Sequence, residues 1–436
     1  MFWIIDYLNG SIISKHYNEI SFVLNDYHSE ASKKIRSERL SDLILHASTS
    51  TEFYSKYQGV TDLIDLPVVN KNSIRNDFKN FKSNAITSNY KVITSGSTGT
   101  PFTVYLDKNK RKRNIADTIF FAKKAGFKLG SKLIFIRVWS KHNGKNRIKA
   151  WFQNVKKQEV REINKNAGGF IKYLLSTKSN KGILGHASAL ETLCHHIEDN
   201  NLEVSKCNLN SIIANSEQLN EQIKLKLEKQ FGISVVSRYS NVENGIIAQQ
   251  SRNGNHEFNI NWASYFVEIL KFDKDEPVKI GEVGRVVITD LFNYSTPMLR
   301  YDTGDIASMT LDQNKIPVFK TVEGRKLDVV YNTKGEIVPA LLIGGKMKKY
   351  IGINQFQFIQ EGKKDYMLKL NVDQTYKSEK RILKELRTIF GLDCRLTILY
   401  VNEIPPLYSG KRRYVVNNHL NKFNKSDEKS IGSAFH

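Results

Sequence analysis

The sequence predicts an α/β protein with a large N-terminal domain of mixed sheets and helices, residues 1–324, and a small α+β domain, residues 325–436. From residue 209 onward, short apolar segments alternate with amphipathic ones, which is typical of parallel strands joined by helices. The last hundred residues instead read as strand, strand, helix and strand, which suits a compact unit of its own. The length of 436 residues agrees, because domains usually contain about 100–200 residues.

The N-terminal half is predicted to begin with helices and to change to strands near residue 90. Apolar residues recur at helical spacing in the first ninety residues, and a further helix is predicted to begin at Ser73. Strands are predicted at 90–93 and 102–106, followed by a long helix that ends at Gly126. Residues 132–138 (KLIFIRV) form a candidate buried strand.

The second half alternates strands and helices before the C-terminal unit begins. Ser378 is expected to cap the last helix, and Gly232 and Gly391 are expected to end their helices. The predicted elements are, in chain order, a strand at 211–214, a helix at 219–231, strands at 234–239, 264–271, 283–290, 355–359 and 366–372, a helix at 378–390 and a strand at 395–401.

Composition narrows the class of protein. Apolar residues form 40% of the chain and charged residues 25%, which allows a large core and excludes a wholly disordered chain. No apolar run approaches the roughly 18–20 residues that span a bilayer, and the first residues lack the basic leader of a signal peptide. Three scattered cysteines without CxxC spacing argue against a disulfide framework, so we expect a cytoplasmic protein.

The formal net charge of +22 indicates an attraction to anions. Candidate partners are an anionic membrane surface and a polyanionic substrate; the alternative is a generally lysine-rich composition, because Lys is spread over most of the chain. The charge is accompanied by no helix-turn-helix, zinc-finger or RNA-recognition signature, so no specific nucleic acid is expected.

The run Thr94–Pro101 (TSGSTGTP) lies between two predicted strands. Its glycines let several backbone N–H groups converge, and the neighbouring hydroxyls can donate to phosphate oxygens or reach a magnesium ion. The run matches neither GxxxxGK[ST] nor GxGxxG. By itself it fits either a polyphosphate-binding loop or a flexible hairpin turn.

Four further motifs follow in order. Residues 238–244 (RYSNVEN) offer an aromatic ring for a purine and a carboxylate for Mg²⁺; a solvated loop is the alternative. In 298–306 (MLRYDTGDI), a carboxylate after a glycine turn at a strand end suits ribose hydroxyls, although in isolation an ordinary turn aspartate is the more common case. Gly324-Arg325 and Ser409-Gly410-Lys411 are unspecific when taken alone.

In this order and spacing, the motifs resemble those of the adenylate-forming superfamily of acyl- and aryl-CoA synthetases. The resemblance is closest to its phenylacetate–CoA ligase-like branch, which is associated with capsular polysaccharide biosynthesis. It runs from about Leu40 to Val416, and its most specific stretch is 281–306, GEVGRVVITDLFNYSTPMLRYDTGDI. The resemblance implies that the small C-terminal domain is mobile.

The resemblance also implies roles for individual residues. Glu243 and Thr98 would bind Mg²⁺, and Lys411 would be the catalytic lysine that bridges the substrate carboxylate and the α-phosphate of ATP. The β- and γ-phosphates of ATP would lie against Thr94, Ser95, Gly96, Ser97, Thr98, Gly99 and Thr100. The adenine and ribose would lie beside Asn215, Ser216, Glu217, Tyr239, Ser240, Asp305 and Arg325.

Three departures from the family pattern qualify this assignment. The phosphate loop has Thr100 and Phe102 where many relatives carry a lysine, and Lys91 cannot be assumed to replace it. Residues 332–337 differ from the glycine loop that helps to form the CoA tunnel, which weakens CoA as the acceptor. His256 remains from a metal site of some relatives, but its cysteines do not, so no zinc is predicted.

The acyl pocket is predicted less sharply. Residues 133–139 and 185–189 lie where relatives build this pocket, and Arg137, Trp139 and His186 are candidates to line it. The favoured alternative is that Trp139 and His186 are simply core or surface residues, and Arg137 could face either an acidic substrate or solvent.

The sequence therefore predicts an ATP- and Mg²⁺-dependent enzyme that adenylates a carboxylic or amino acid and releases pyrophosphate. The acyl group would pass to an acceptor in cell-surface polysaccharide biosynthesis, such as an amino or hydroxyl group of a sugar. The first alternative is an acyl- or aryl-CoA ligase. The second is a non-catalytic basic scaffold that binds an anionic glycan or the inner face of the membrane.

Overall fold

The computed structural model describes residues 2–94, 102–139, 153–252, 256–325, 330–338, 340–347, 349–374, 376–405 and 414–419. The chain forms two compact units. The larger contains Met1–Thr303 and Ala307–Val322, and the smaller contains Gly304–Ile306 and Glu323–His436.

Within residues 2–81, the larger unit begins with six α-helices. Ser29 accepts a hydrogen bond from Ser32 N and so caps the third helix. The helix predicted to begin at Ser73 begins earlier, because Asn70 accepts from the Ser73 backbone while the Ser73 hydroxyl accepts from Asn70 N. The six helices are α1 (Phe2–Leu8), α2 (Ile12–Asn25), α3 (Glu30–Ser50), α4 (Glu52–Ser55), α5 (Lys71–Asn76) and α6 (Phe78–Phe81).

Two sheets follow. The first is an antiparallel hairpin of β1 (Tyr90–Thr94) and β2 (Phe102–Leu106). The second has eleven strands in the order β10-β11-β12-β13-β9-β8-β7-β6-β5-β3-β4. Its strands are β3 (Lys132–Arg137), β4 (Val155–Glu159), β5 (Lys181–His186), β6 (Leu209–Asn215), β7 (Val235–Asn241), β8 (Gly245–Gln250), β9 (Phe258–Ile260), β10 (Tyr265–Leu270), β11 (Val283–Asp290), β12 (Tyr301–Leu311) and β13 (Pro317–Arg325).

One end of the large sheet is parallel. Strands β4, β3, β5, β6 and β7 pair in parallel, whereas β7 with β8, β8 with β9 and β10 with β11 pair antiparallel. Among the described residues after β2, the α-helices of this unit are α7 (Lys108–Lys124), α8 (Val160–Lys165), α9 (Ala167–Ser176), α10 (Ala187–Asp199) and α11 (Glu221–Phe231). As predicted, α11 ends at Gly232, which has a φ of +67°.

The parallel strands and their helices share one core. Ile134, Ile183, Ile212 and Val235 of the strands pack with apolar residues of α8 to α11. Because the strands are parallel, their carboxyl ends reach the same edge of the sheet, which is where open α/β sheets usually bind ligands. A second core joins α3 to α6 with the antiparallel strands.

The smaller unit contains a four-stranded sheet in the order β18-β17-β16-β19. The helix predicted at its centre is present, but the Ser378 side chain makes no capping hydrogen bond. Phe358, Leu368, Ile382, Leu386 and Phe390 form its core. Its elements are β14 (Val330–Tyr331), β15 (Ile337–Val338), α12 (Ala340–Met347), β16 (Ile353–Gln360), β17 (Asp365–Val372), α13 (Glu379–Phe390), β18 (Arg395–Tyr400) and β19 (Val415–Asn417).

The predicted α/β class with a smaller α+β unit is confirmed. Among the described residues, no helix is both long enough and apolar enough to span a membrane.

Candidate functional site

Several predicted site residues among the described part of the larger unit lie at the carboxyl edge of the parallel strands. Arg137 ends β3, His186 ends β5 and Asn215 ends β6, while Tyr239 and Ser240 lie near the end of β7. His186 and Asn215 are direct partners in the register of β5 and β6. The fold thus brings together side chains that are about a hundred positions apart in the sequence, at the edge where α/β sheets bind ligands.

The segment after β6 turns sharply toward α10. Ser216 has a φ of +71°, in the left-handed region. Glu217 Oε2 then accepts a hydrogen bond of 3.1 Å from the backbone N–H of Ser188, in the first turn of α10. A carboxylate at a helix N-terminus is stabilised by the helix dipole and by unsatisfied N–H groups. The predicted adenine-side segment is therefore fixed to the neighbouring strand–helix connection.

Tyr239 is mainly a core residue. Its hydroxyl donates to Thr303 Oγ1 on β12 at 3.4 Å, and Thr303 donates in turn to Val286 O at 3.0 Å. Its ring meets Phe319 edge to face. The hydroxyl anchor and the ring contact fix the position of Tyr239 at the end of β7.

Glu243 follows β7 and is almost completely buried, with 2% of its side chain exposed. Oε1 accepts a hydrogen bond of 2.9 Å from the Tyr301 hydroxyl, and the same oxygen lies 2.9 Å from Lys71 Nζ. Tyr301 stacks on Phe102 with an angle of 5° between the rings, and Lys71 Nζ is 5.9 Å from the centre of the Phe102 ring. The buried carboxylate thus has one cation and one hydroxyl donor at the same oxygen, which is the charge-assisted pairing that a buried acid requires.

Lys71 was missed by sequence reasoning. It is the first residue of α5, and a β-bridge between Val69 and Tyr301 places it. Val69 N donates to Arg300 O at 3.0 Å, and Asp302 N donates to Val69 O at 2.7 Å. The sequence around Lys71 contains the Asn70–Ser73 capping box, which predicts that a helix starts here. It does not predict that Lys71 pairs with Glu243.

A buried polar network fixes the loop that carries Glu243. Asn244 N donates to Asn241 Oδ1 at 2.8 Å, and the Tyr265 hydroxyl donates to Asn244 O at 2.7 Å. Lys110 Nζ lies 2.7 Å from Asp290, and both side chains are fully buried. Burial raises the pKa of Asp290, while the nearby Lys110 ammonium opposes that rise. The network lies beside Glu243 and holds its backbone in place.

The residues predicted for the acyl pocket fall into two places. The Arg137 guanidinium lies 5.4 Å from the centre of the Trp139 ring, and burial lowers the pKa of Arg137. Trp139 N donates to Glu159 Oε2 at 2.9 Å, and its indole N–H donates to Gln158 O at 3.1 Å. Arg137 and Trp139 therefore contact β4, the edge strand, whereas His186 is buried at the end of β5.

Several predicted residues lie in other surroundings. Thr94 ends β1 and is buried, while Ser95, Gly96, Ser97, Thr98, Gly99, Thr100 and Lys411 lie outside the described residues. Asp305 was expected at the end of a strand after a turn. This is wrong, because β12 continues through it from Tyr301 to Leu311 with Gly304 at a φ of +76°. Arg325 is the last residue of β13.

Known proteins resemble both parts of the chain. The sequence model of one family, the CapK C-terminal domain, matches residues 330–418. Protein CapK of Staphylococcus aureus is 23% identical over 413 residues, which cover 88% of this chain and 89% of that protein. A phenylacetate–coenzyme A ligase of Thermus thermophilus is 26% identical over 133 residues, or 29% of this chain and 28% of that protein.

Solved structures show the same fold at low identity. A 2-hydroxyisobutyryl-CoA ligase in the postadenylation state, in complex with an acyl-AMP, has a TM-score of 0.69 with 16% identity and covers 93% of each chain. ATP-bound MatB of Rhodopseudomonas palustris has a TM-score of 0.55 with 13% identity, covering 77% of this chain and 67% of its own. The similarity extends over both units of the chain.

Proposed function

We propose that this chain, which belongs to the CapK-like branch of the adenylate-forming superfamily, adenylates a carboxylic or amino acid with ATP. The acid's carboxylate would attack the α-phosphate, the bond from the α-phosphate to the bridging oxygen would break, and pyrophosphate would leave with that oxygen. The products are an acyl-adenylate and pyrophosphate. One observation carries the proposal: the buried Glu243 carboxylate lies beside the carboxyl edge of the parallel strands, next to a cation.

Glu243 suits a magnesium ion. Mg²⁺ prefers hard oxygen ligands and is often bound by one or two carboxylates together with substrate phosphates. The Lys71 ammonium beside Oε1 shows that this carboxylate accepts a cation as a neighbour. When bound, Mg²⁺ would neutralise charge on the triphosphate. Among the described residues, no group of three or more His, Cys, Asp or Glu side chains could hold a metal by itself, so Thr98 and phosphate oxygens are proposed as further ligands.

Lys71 supplies positive charge that the phosphate loop lacks. The loop has Thr100 and Phe102 where many relatives carry a lysine. The Lys71 side chain is about one-third exposed and passes Phe102, the residue at which β2 begins after the loop. We assign Lys71 to the triphosphate, where its ammonium would counter the repulsion between the phosphates and the attacking carboxylate.

The remaining roles follow the family resemblance. Asn215, Ser216, Glu217, Tyr239 and Ser240 would border the adenine, and Asp305 and Arg325 would contact the ribose. Residues 1–324 would bind ATP and the acid, with Arg137, Trp139 and His186 at the acyl group. Residues 325–436 would carry Lys411, which is proposed to approach the α-phosphate during adenylation and to withdraw afterwards.

For the second half-reaction, we propose transfer of the acyl group to an amino or hydroxyl group of a sugar, in cell-surface polysaccharide biosynthesis. CoA is the alternative acceptor, and solved relatives in complex with acyl-AMP and CoA support it. Residues 332–337 argue for the sugar. Residues 332–336 form a tight turn between β14 and β15, in which Asn332 Oδ1 accepts from Lys334 N and Glu336 N. The stretch 332–337 differs from the glycine loop of CoA ligases.

The test is pyrophosphate release from ATP and Mg²⁺ with a panel of amino, aromatic and hydroxy acids, with hydroxylamine present to capture activated acyl groups. Hydroxamate formation that depends on one class of acid would support adenylation and identify that class. CoA and amino sugars would then compete for the acyl group. Absence of both ATP binding and hydroxamate across the panel would favour the non-catalytic scaffold.

A further inference from the structure

Helix α1 presents an apolar face to solvent. Ile4, Ile5, Tyr7 and Leu8 have exposed fractions of 64%, 53%, 74% and 77%. Residues three and four positions apart lie on the same side of a helix, so Ile4 lies beside both Tyr7 and Leu8. Single exposed apolar residues are common on protein surfaces, but four large neighbours on one helix are characteristic of interaction sites.

The helix is attached firmly to the protein. The Asp6 side chain is buried, and its two oxygens accept hydrogen bonds from Ile13 N at 3.1 Å and Ser14 N at 2.7 Å, in the first turn of α2. Trp3 meets the ring of Tyr17 edge to face, with 5.6 Å between the ring centres. These contacts direct Asp6 and Trp3 toward α2 and leave the apolar face outward.

The surroundings of this face are basic. Lys15 is exposed in the first turn of α2, and Lys123 Nζ lies 5.9 Å from the centre of the Tyr17 ring, on which Trp3 packs. Lys124 follows Lys123 at the exposed end of α7, where its ammonium donates to Asn25 Oδ1, at the far end of α2, at 3.2 Å. Two carboxylates of this region are paired: Asp6 accepts from the first turn of α2, and Glu19 binds Arg39 at 2.8 Å and Arg113 at 2.7 Å.

We propose that α1 is a membrane-docking helix that inserts its apolar face among the headgroups of an anionic lipid bilayer, with Lys15, Lys123 and Lys124 against the lipid phosphates. Amphipathic helices with large apolar residues on one side and flanking lysines bind in this way. The charge favours lipid over a second copy of the chain, because two copies joined through α1 would bring like-charged lysines together. Docking is separate from adenylation, since none of these residues belongs to the proposed site.

The test is flotation of the full chain with phosphatidylcholine vesicles, with and without phosphatidylglycerol. We expect binding to the vesicles that contain phosphatidylglycerol and a loss of that binding as salt is raised, because salt screens exposed charges. The double variant Ile4→Ser/Leu8→Ser is expected to bind these vesicles at least about tenfold more weakly than the wild type. The reason is that burial of each apolar side chain contributes strongly to partition into the bilayer. Its matched control is Ile351→Ser/Leu392→Ser, which changes residues that are 81% and 88% exposed in the smaller unit.

A second pair of variants separates local charge from net charge. Lys15→Gln/Lys123→Gln/Lys124→Gln and Lys377→Gln/Lys380→Gln/Lys384→Gln both lower the net charge from +22 by three, to +19. Only the variant at Lys15, Lys123 and Lys124 is expected to bind phosphatidylglycerol vesicles several-fold more weakly than its charge-matched control. Thermal unfolding and hydroxamate formation without vesicles would verify that each variant is folded.

Three results would overturn the proposal. The first is equal vesicle binding by the α1 variant and its control. The second is equal loss in both lysine variants, which would indicate attraction through net charge alone. The third is a wild-type chain that does not bind vesicles and sediments as a dimer, while Ile4→Ser/Leu8→Ser sediments as a monomer. That result would assign the apolar face of α1 to self-association.

Discussion

Lys71 and Glu243 form an ion pair across the larger unit, with 2.9 Å between Nζ and Oε1. Glu243 is buried and Lys71 is partly exposed, so the ammonium is the partner with room to move. The lysine neutralises the carboxylate before any nucleotide arrives. If ATP and Mg²⁺ bind as proposed, the Lys71 ammonium can contact the phosphates while Mg²⁺ neutralises the Glu243 carboxylate. Each charge would then still have a partner of opposite sign.

This pair predicts that Lys71→Met weakens ATP binding by roughly 10- to 100-fold, since a hydrogen bond to a charged group contributes about 1.5–3 kcal/mol. Lys71→Arg should recover much of the affinity because the charge remains. Titration calorimetry with ATP, with and without Mg²⁺, would measure both variants. Lys79→Met, at an exposed position on α6, is the control. Wild-type affinity in Lys71→Met would remove the lysine from the site.

Glu243→Gln should lower hydroxamate formation by about 10²-fold or more, because the neutral amide is a poor ligand for Mg²⁺. The amide oxygen can still accept from the Tyr301 hydroxyl, so the melting temperature should change little. The decisive measurement is ATP affinity as a function of Mg²⁺ concentration, which should lose its dependence on the metal. Retention of that dependence would show that the ion binds elsewhere.

Lys411→Ala should abolish most adenylate formation and leave ATP binding largely intact, because the lysine is proposed to act on the α-phosphate only during the reaction. Pre-steady-state pyrophosphate release and equilibrium ATP binding would be compared. Arg412→Ala removes a neighbouring charge and should behave as the wild type. Equal activity in Lys411→Ala and Arg412→Ala would refute the assignment of the lysine.

Lys110→Met should destabilise the larger unit by about 3–5 kcal/mol, because Asp290 would remain buried without its cation. Replacing both partners, as Lys110→Met/Asp290→Leu, should recover much of the loss. Chemical denaturation would measure the free energy of unfolding. Lys271→Met, which breaks the exposed pair with Glu276, should have little measurable effect. A Lys110→Met variant as stable as the wild type would indicate that the network contributes nothing to holding the Glu243 loop.

His16 should make stability depend on pH. Burial, and then the nearby Arg113 cation, lower the pKa of His16 below its usual 6.5, although Glu19 and Asp117 partly oppose this. Since the unfolded chain binds the proton more readily, the contribution of neutral His16 is complete above about pH 6.5 and is lost as pH falls through the lower folded pKa. Melting temperatures between pH 7.5 and 5 should therefore fall more steeply for the wild type than for His16→Gln. Parallel curves would contradict this.

The sequence predicted the elements well where one local rule decided them. The α11 pattern of apolar residues every four positions, ended by Gly232, needs no tertiary information. The same holds for the strands at 265–270 and 283–290. The prediction was less successful where the helix start depended on which side chain caps it. Asn70 is the cap, so α5 begins at Lys71 and not at Ser73.

The site was predictable only in part, for a topological reason. Residues in motifs that follow predicted strands, such as Asn215 and Glu243, can be expected near one edge of the sheet, because parallel strands bring their carboxyl ends together. Lys71 has no such motif, and its position depends on a bridge between Val69 and Tyr301. Asp305 was misplaced because a glycine with positive φ can lie inside a strand as well as in a turn.

The bridge between Val69 and Tyr301 also has a consequence for synthesis of the chain. A ribosome that has completed residue 71 must still add every residue up to 301 before the partner strand exists. At about 5–20 residues per second, this takes on the order of 10–50 s. During that interval the backbone N–H and C=O of Val69, which bond to Arg300 and Asp302 in the finished protein, have no partner strand. The contact that places Lys71 beside Glu243 can therefore form only late in synthesis.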